Sequence, residues 1–389
     1  MRFSPLLLLS VLLHVYMAAR LVPDLAAYPV AQALMLAGLV LSALLMPLGL
    51  RRGGMVSSPL SDMLTWAGLL CMGLFSSLLV LTLLRDAVLL VLMVVLWLGS
   101  WLSAAPWPLA ALRSGSAAAV PVLALLATLL GFLNARRTAA VVRVDVPIKG
   151  LSAALHGFTL AQISDIHVGP TIRQNYLRRI VRKVNALQAD LVAITGDLVD
   201  GQVSELAAHV APLAELQSRH GTFFVTGNHE YYSGAHAWIE ELRRLGLTVL
   251  LNQHVVICQP GDADRTGALL VLAGVTDYNA AHFDPAHRSD PEAALRGAPA
   301  EALRVLLAHQ PRSAAAAALA GFDLQLSGHT HGGQFYPWNL FVRFQQPFTA
   351  GLHKLQDLWV YTSRGTGYWG PPKRFGAPSE ITYLRLVAV

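Results

Sequence analysis

The chain opens with five apolar, uncharged runs in succession, at residues 3–19, 25–50, 63–84, 87–112 and 114–135. Crossing a bilayer as a helix takes about 20 apolar residues, so the pattern predicts about five membrane helices over residues 1–135. The first run, with Arg2 before it and Ala18-Ala19 at its end, has the layout of a signal peptide. Four further spans would hold the chain in the membrane whether or not it is cleaved. The fourth run is too long for one plain span, and Pro106-Trp107-Pro108 predicts a turn along the interface. Trp66, Trp97, Trp101 and Trp107 are suited to anchor the interface.

From Arg136 the pattern changes. Short apolar runs at 158–164, 190–195, 222–226, 255–258, 268–273, 304–308, 322–326, 359–362 and 381–386 read as strands. Between several of them lie helical stretches. One carries Leu177, Ile180, Val181, Val184 and Leu187 on one face. Another covers 205–218 with an interruption at Pro212, a third covers 235–245, and an alanine-rich one runs to Ala320. Strands alternating with helices predict an α/β domain over residues 136–389.

Charge follows the same division. Six of the 29 basic residues and three of the 23 acidic ones precede Arg136, and 13 of the 14 histidines follow it. The near-balanced remainder shows no basic stripe interleaved with aromatics, so a nucleic-acid partner is not expected. Few ionisable residues fall inside the apolar runs, which argues against a transporter or channel. With five spans and the N-terminus inside, Arg2, Arg51, Arg52 and Arg113 would face the cytoplasm and Arg20, Arg85, Arg136 and Arg137 the other side. That balance leaves orientation open. Cys71 and Cys258 have no metal-ligand spacing, so a metal site here must use His, Asp, Glu or Asn.

The chemistry-bearing residues collect at the ends of the predicted strands. "ISDIHVG" supplies Asp165 and His167, "ITGDLVD" supplies Asp197, and "VTGNHEYY" supplies Asn228, His229 and Glu230. "LLAHQP" supplies His309, and "LSGHTHGG" supplies His329 and His331. Ligands in open α/β sheets gather beyond the carboxyl ends of strands. Each block alone is a weak signal: Gly196-Asp197 is an ordinary turn, and a lone histidine after an apolar run is more often a satisfied core residue. Five blocks ending five strands are much harder to reach by chance. The other histidines from Arg136 onward, among them His236, His282 and His287, show no such placement and read as background.

In this order the blocks resemble the calcineurin-like metallophosphoesterase superfamily, whose pattern is D-x-H, G-D, G-N-H-[DE], H and G-H-x-H. The resemblance covers roughly residues 142–389, and the wording around the blocks is similar to the branch that carries N-terminal transmembrane helices. It implies a four-layer α/β/β/α sandwich of two mixed sheets. It also implies two divalent metal ions, one held by Asp165, His167, Asp197 and His331, the other by Asp197, Asn228, His309 and His329. Asp197 would bridge them. His229 would face the substrate and stabilise the transition state or protonate the leaving oxygen. Glu230 would support His229 or a neighbouring loop. Imidazole with oxygen ligands suits Mn, Fe or Zn. Two such cations clamp a phosphoryl group and lower the pKa of a bound water.

The expected activity is therefore hydrolysis of phosphoester or pyrophosphate bonds by a membrane-bound enzyme, with a bacterial cytoplasmic membrane as the expected location and membrane lipids as neighbours. The alternative is a membrane scaffold or sensor with an inactive phosphoesterase domain. Arg364, Tyr368 and Trp369 in "SRGTGYWGPP" read as a rim over the site, with Arg364 able to meet phosphate bidentately. Tyr231, Tyr232, Phe335 and Trp338 read as an apolar wall. A tethered site with aromatic walls suggests a lipid-linked substrate.

Overall fold

The computed structural model describes residues 5–50, 58–100, 109–260 and 267–389. Arg2, Arg51, Arg52, Trp101, Trp107 and the proposed turn at 106–108 lie outside the described residues. The chain forms two compact units, Met1–Leu133 with Gly370–Lys373 and Asn134–Trp369 with Arg374–Val389.

The first unit is helical: α1 (Pro5–Leu21), α2 (Pro29–Leu50), α3 (Pro59–Ser100) and α4 (Leu109–Arg136), the last ending in the second unit. All four are long and apolar enough to cross a membrane. The runs at 63–84 and 87–112, expected as separate spans, share α3 as far as residue 100. Arg85 and Asp86 do not break that helix because their charges are met by side chains of neighbouring segments. Arg85 pairs with Asp24, while Asp86 pairs with Arg20 and accepts from the Tyr16 hydroxyl, each at 2.7 Å. Arg85 is thus no loop charge, and counting it toward orientation misleads. Glycine lets α2 and α3 cross closely, as in other membrane helix pairs. A Cβ at Gly68 would lie 2.5 Å from Leu45 O and Gly49 N. His14, given no role from sequence, links α1 to α2 through Ser42 Oγ at 3.0 Å.

The second unit has two six-stranded mixed sheets. In chain order its elements are β1 (Ala140–Ile148), β2 (Thr159–Ile163), α5 (Gln174–Asn185), β3 (Leu191–Ile194), α6 (Val203–Val210), β4 (Thr222–Phe224), α7 (Asn228–Tyr232), α8 (Ala235–Arg244), β5 (Thr248–Val249), β6 (Gln253–Gln259), β7 (Ala268–Gly274), α9 (Pro291–Ala294), β8 (Leu303–Leu307), α10 (Ala314–Ala320), β9 (Leu324–Ser327), β10 (Gly351–Leu355), β11 (Leu358–Thr362) and β12 (Glu380–Ala388). The sheet orders are β1-β12-β2-β3-β4-β5 and β10-β11-β9-β8-β7-β6.

Side chains on a strand alternate between faces, and here both faces are covered. Leu160, Leu191, Ala193 and Phe223 of the first sheet pack against Leu303, Val305, Leu307, Leu324 and Leu326 of the second. The intervening Ala161, Ile163, Val192, Ile194 and Phe224 face outward onto α5 and α8, meeting Leu177, Ile180, Val181, Val184, Trp238 and Leu242. On the other side Leu306, Ala308 and Val360 meet Ala314 and Ala317. The result is the expected four layers, helix, sheet, sheet, helix. Gln162 ties the sheets together at the end that carries the site, donating to Ser327 O at 2.9 Å.

Candidate metal centre

Each residue singled out at a strand end arrives where its strand stops. β2 leads to Asp165 and His167, and β3 to Asp197. β4 leads to Asn228 and His229, which open α7. β8 leads to His309, and β9 to His329 and His331. β2, β3 and β4 run parallel in one sheet, and β8 and β9 run parallel in the other. Their ends therefore deliver all of these side chains to one place.

The backbone bends sharply to do so. Asp165, His167, Asp197, His329 and His331 have φ of 52, 56, 52, 70 and 52°, a left-handed region that few non-glycine residues occupy. Such strain costs about 1–3 kcal/mol per residue and persists where surrounding structure enforces it. Two glycines make room: a Cβ at Gly328 would lie 2.2 Å from Asp165 Oδ2, and one at Gly227 the same distance from Asp197 Oδ1.

Three overlapping groups of ligand atoms result; one is His167, Asp197 and His229, and the other two hold the expected ligands. Asp165, His167 and His331 each offer an atom within 4.8 Å of the others, as do Asp197, His309 and His329. In the first group His167 Nε2 faces His331 Nε2 at 3.1 Å, and His331 Nε2 lies 3.4 Å from Asp165 Oδ1. In the second His309 Nε2 faces His329 Nδ1 at 3.1 Å and Asp197 Oδ2 at 3.1 Å. Asp197 Oδ2 also lies 3.9 Å from His167 Nε2 and 4.0 Å from His229 Nε2, so one carboxylate oxygen faces both groups. His309 Nδ1 is held by Thr195 O at 2.8 Å, which leaves Nε2 for the site. Asn228 Oδ1 is buried and finds no hydrogen-bond partner among the described residues. A buried carbonyl oxygen without a donor is costly, and a cation would satisfy it.

The electrostatics centre on Asp197. Burial opposes its ionisation, but His309, His229 and His167 outweigh that and hold its carboxyl well below the ordinary range. Against their own burial, His309 is raised well above its ordinary value by Asp197, and His229 is raised to about 9 by Asp197 and Asp200. Burial, then the His309 charge, lowers His329 to about 3. Burial, then the Arg374 guanidinium, lowers His331 well below its ordinary value. Metal ligation needs neutral imidazole, so His329 and His331 are ready to ligate, while a cation must compete with a proton at His309.

Residues 158–333 match the family model for the calcineurin-like phosphoesterases. A metallophosphoesterase of Aquifex aeolicus is 32% identical over 225 residues, covering 57% of this chain and 82% of that protein. The chain belongs to the calcineurin-like metallophosphoesterases. A zebrafish transmembrane protein with a metallophosphoesterase domain is 40% identical over 274 residues, covering 68% of this chain and 62% of that protein. A Helicobacter pylori metallophosphoesterase is 40% identical over 230 residues, covering 58% of each chain. The match thus spans about three fifths of the length of these two relatives. With animal and bacterial members alike, the similarity supports a membrane protein without choosing the membrane.

This metallophosphoesterase has supporting residues around the ligands, of which only Glu230 stood out in the sequence. Asp200 Oδ1 accepts from His229 Nδ1 at 2.6 Å and lies 3.1 Å from His167 Nδ1. Its only sequence signal is the Asp197-x-x-Asp200 spacing after a strand. Arg374 is fully buried; its Nη1 donates to His331 O and its Nη2 to His331 Nδ1, both at 2.9 Å. Glu230 accepts from the backbone N–H groups of Asp197, Leu198, Val199 and Gly227 at 3.0, 2.7, 3.3 and 2.6 Å. It therefore braces the Asp197 loop rather than His229.

The expected rim is partly corrected. Tyr368 is 1% exposed and belongs to the core between sheet and helices. Its hydroxyl donates to Thr171 O and accepts from Arg136, at 3.2 and 3.0 Å, so it cannot line a substrate. Arg364 is committed to buried Glu380 through a 2.8 Å ion pair. Trp369 is 46% exposed, with its ring 5.7 Å from that of His229. Of the expected wall, exposed Tyr232 has its ring 5.2 Å from that of His229. Phe335 is buried, and Trp338 packs on Phe341 at 6.0 Å.

Proposed function

We propose that this chain is a membrane-bound dinuclear-metal phosphoesterase that hydrolyses phosphoester or pyrophosphate bonds. Asp165, His167, Asp197 and His331 would hold one divalent cation, and Asp197, Asn228, His309 and His329 the second, with Asp197 common to both sets. The observation that carries this reading is Asp197 Oδ2, which faces imidazole nitrogens of both ligand groups. The donor set of imidazoles, carboxylates and a carboxamide, with no thiolate, fits Mn, Fe or Zn.

When bound, such cations polarise the phosphoryl oxygens and bring the pKa of water toward neutrality. The chain's own residues orient and protonate. His229 is no ligand; with Nδ1 held by Asp200, its Nε2 faces the site and carries the proton. Water adds its oxygen to phosphorus and gives up a proton to solvent, the bond to the leaving oxygen breaks, that oxygen takes the His229 proton, and His229 then regains a proton from solvent. Asp200 keeps the ring in the tautomer and orientation that deliver it. Tyr232 and Trp369 flank His229 with apolar surface, which suits a leaving group with an apolar or aromatic body. With helices long enough to span a membrane, this supports a lipid-linked phosphoester or pyrophosphate as substrate.

The test is a screen of phosphomonoesters, diesters and lipid pyrophosphates on the full chain in detergent with Mn²⁺. Turnover of at least one class above buffer background supports the reading. Two bound metals per chain with no turnover of any class favours a scaffold.

A further inference from the structure

A second cluster of metal-ligand side chains lies outside this centre. His236 at the start of α8 and Asp284 and His287 in the loop after β7 each offer an atom within 4.8 Å of the others. His236 Nε2 lies 3.0 Å from Asp284 Oδ2, and the rings of His236 and His287 are 5.0 Å apart. The two segments are 48 residues apart in sequence, so the fold, not local spacing, brings them together. That is why these histidines read as background in the sequence.

Two of the three ligands also have their second atom engaged. Asp284 Oδ1 accepts from the Ala286 N–H at 2.9 Å, which leaves Oδ2 facing His236. His287 Nδ1 pairs with the Tyr231 hydroxyl at 2.9 Å, so Nε2 is the nitrogen left for a ligand bond. Partners of this kind fix ring orientation and tautomer at metal sites. A carboxylate–imidazole ion pair would be sufficient for His236 and Asp284 alone. It gives no reason for a second imidazole against them, with its ring 5.0 Å from that of His236.

We infer that His236, Asp284 and His287 form a third, outer metal site for a borderline divalent cation such as Zn²⁺. Two imidazoles and one carboxylate suit such a cation and leave coordination positions open for water. The site reaches the centre through Tyr231, which lies on α7 with Asn228 and His229 and approaches Thr226 Oγ1 at 3.4 Å. A cation there would fix His287, and through it Tyr231 and the helix that presents the proposed proton donor.

The test is equilibrium dialysis of the full chain in detergent against Zn²⁺, with bound metal counted per chain. Wild type should hold one more equivalent than H236N/H287N. Asp197→Ala, which disrupts the inner centre, should keep that extra equivalent, and it should vanish when H236N and H287N are added. The difference of one is read whatever the inner centre holds, so it stands or falls apart from the phosphoesterase reading. Tyr231→Phe should keep the equivalent but bind it about 10-fold more weakly, through loss of the partner at Nδ1. His236→Asn alone, a change at an exposed side chain, should also lose it. Equal zinc content in wild type, H236N and H236N/H287N overturns the inference.

Discussion

His229 Nδ1 donates to Asp200 Oδ1 across 2.6 Å, the shortest link between the proposed proton donor and its surroundings. His229 is raised to about 9, with Asp197 and Asp200 outweighing burial. A donor must be protonated, and two divalent cations beside the ring would lower that value, so its contribution is lost as pH rises through the pKa of the metal-loaded enzyme. Wild-type kcat/KM for a substrate with a poor leaving group should therefore fall on the alkaline side. Asp200→Asn removes one of the two carboxylates, so the fall should begin at lower pH and the rate should drop about 10–100-fold. An alkaline limb unmoved by D200N would remove Asp200 from this role.

His229→Ala should lower kcat by about 10²–10⁴-fold, the usual worth of a general acid, while metal content stays near that of wild type. The loss should be smaller for a substrate with a good leaving group such as p-nitrophenolate, which needs little protonation. Parallel loss of metal would make His229 a ligand.

Arg374 donates to both the carbonyl and the ring of His331. Lysine keeps the charge but cannot span the carbonyls of Arg364 and Gly367 and the ring of His331 together. Arg374→Lys should weaken binding of one of the two metals by about 10–100-fold and lower Tm. Metal titration of the variant checks this, and unchanged affinity for both metals would count against it.

Tyr368 and Trp369 are neighbours in sequence with opposite expectations. Tyr368→Phe removes a buried hydroxyl that serves Thr171 and Arg136, so it should cost about 1–3 kcal/mol of stability with kcat/KM little changed. Trp369→Ala removes exposed aromatic surface beside His229 and should raise KM, most for substrates with large apolar leaving groups, with little change in Tm. Thermal melts and steady-state kinetics on the pair separate the two roles.

How much of this was legible in the sequence depends on the range of the interaction. Apolar runs such as 190–195 and 304–308 gave β3 and β8 to within a residue or two, because strands covered on both faces are apolar throughout. The seven proposed ligands were legible because each directly follows such a run. Asp200, Arg374 and the His236–Asp284–His287 cluster were not, since their meaning lies in contacts 29 to 48 residues distant in sequence. The strand β1 escaped because its charges, Arg143 and Asp145, face outward on a sheet edge, and Asp145 pairs with Arg385 of β12. Reading 63–84 and 87–112 as two spans failed because the Arg85-Asp86 charges are compensated by Asp24 and Arg20, which adjoin neither run. Tyr368 was misplaced because a glycine-rich loop after a strand looks open, whereas here its tyrosine turns into the core.

Asp197 is the residue on which the account turns, so its removal is the most direct test. Hydrolysis of p-nitrophenyl phosphate and bis-p-nitrophenyl phosphate with Mn²⁺ should be measured for wild type and Asp197→Ala, alongside bound metal per chain. Wild type should show Mn²⁺-dependent turnover, and D197A should fall to the uncatalysed background and bind fewer metals. Equal rates and equal metal content in the two proteins would contradict it.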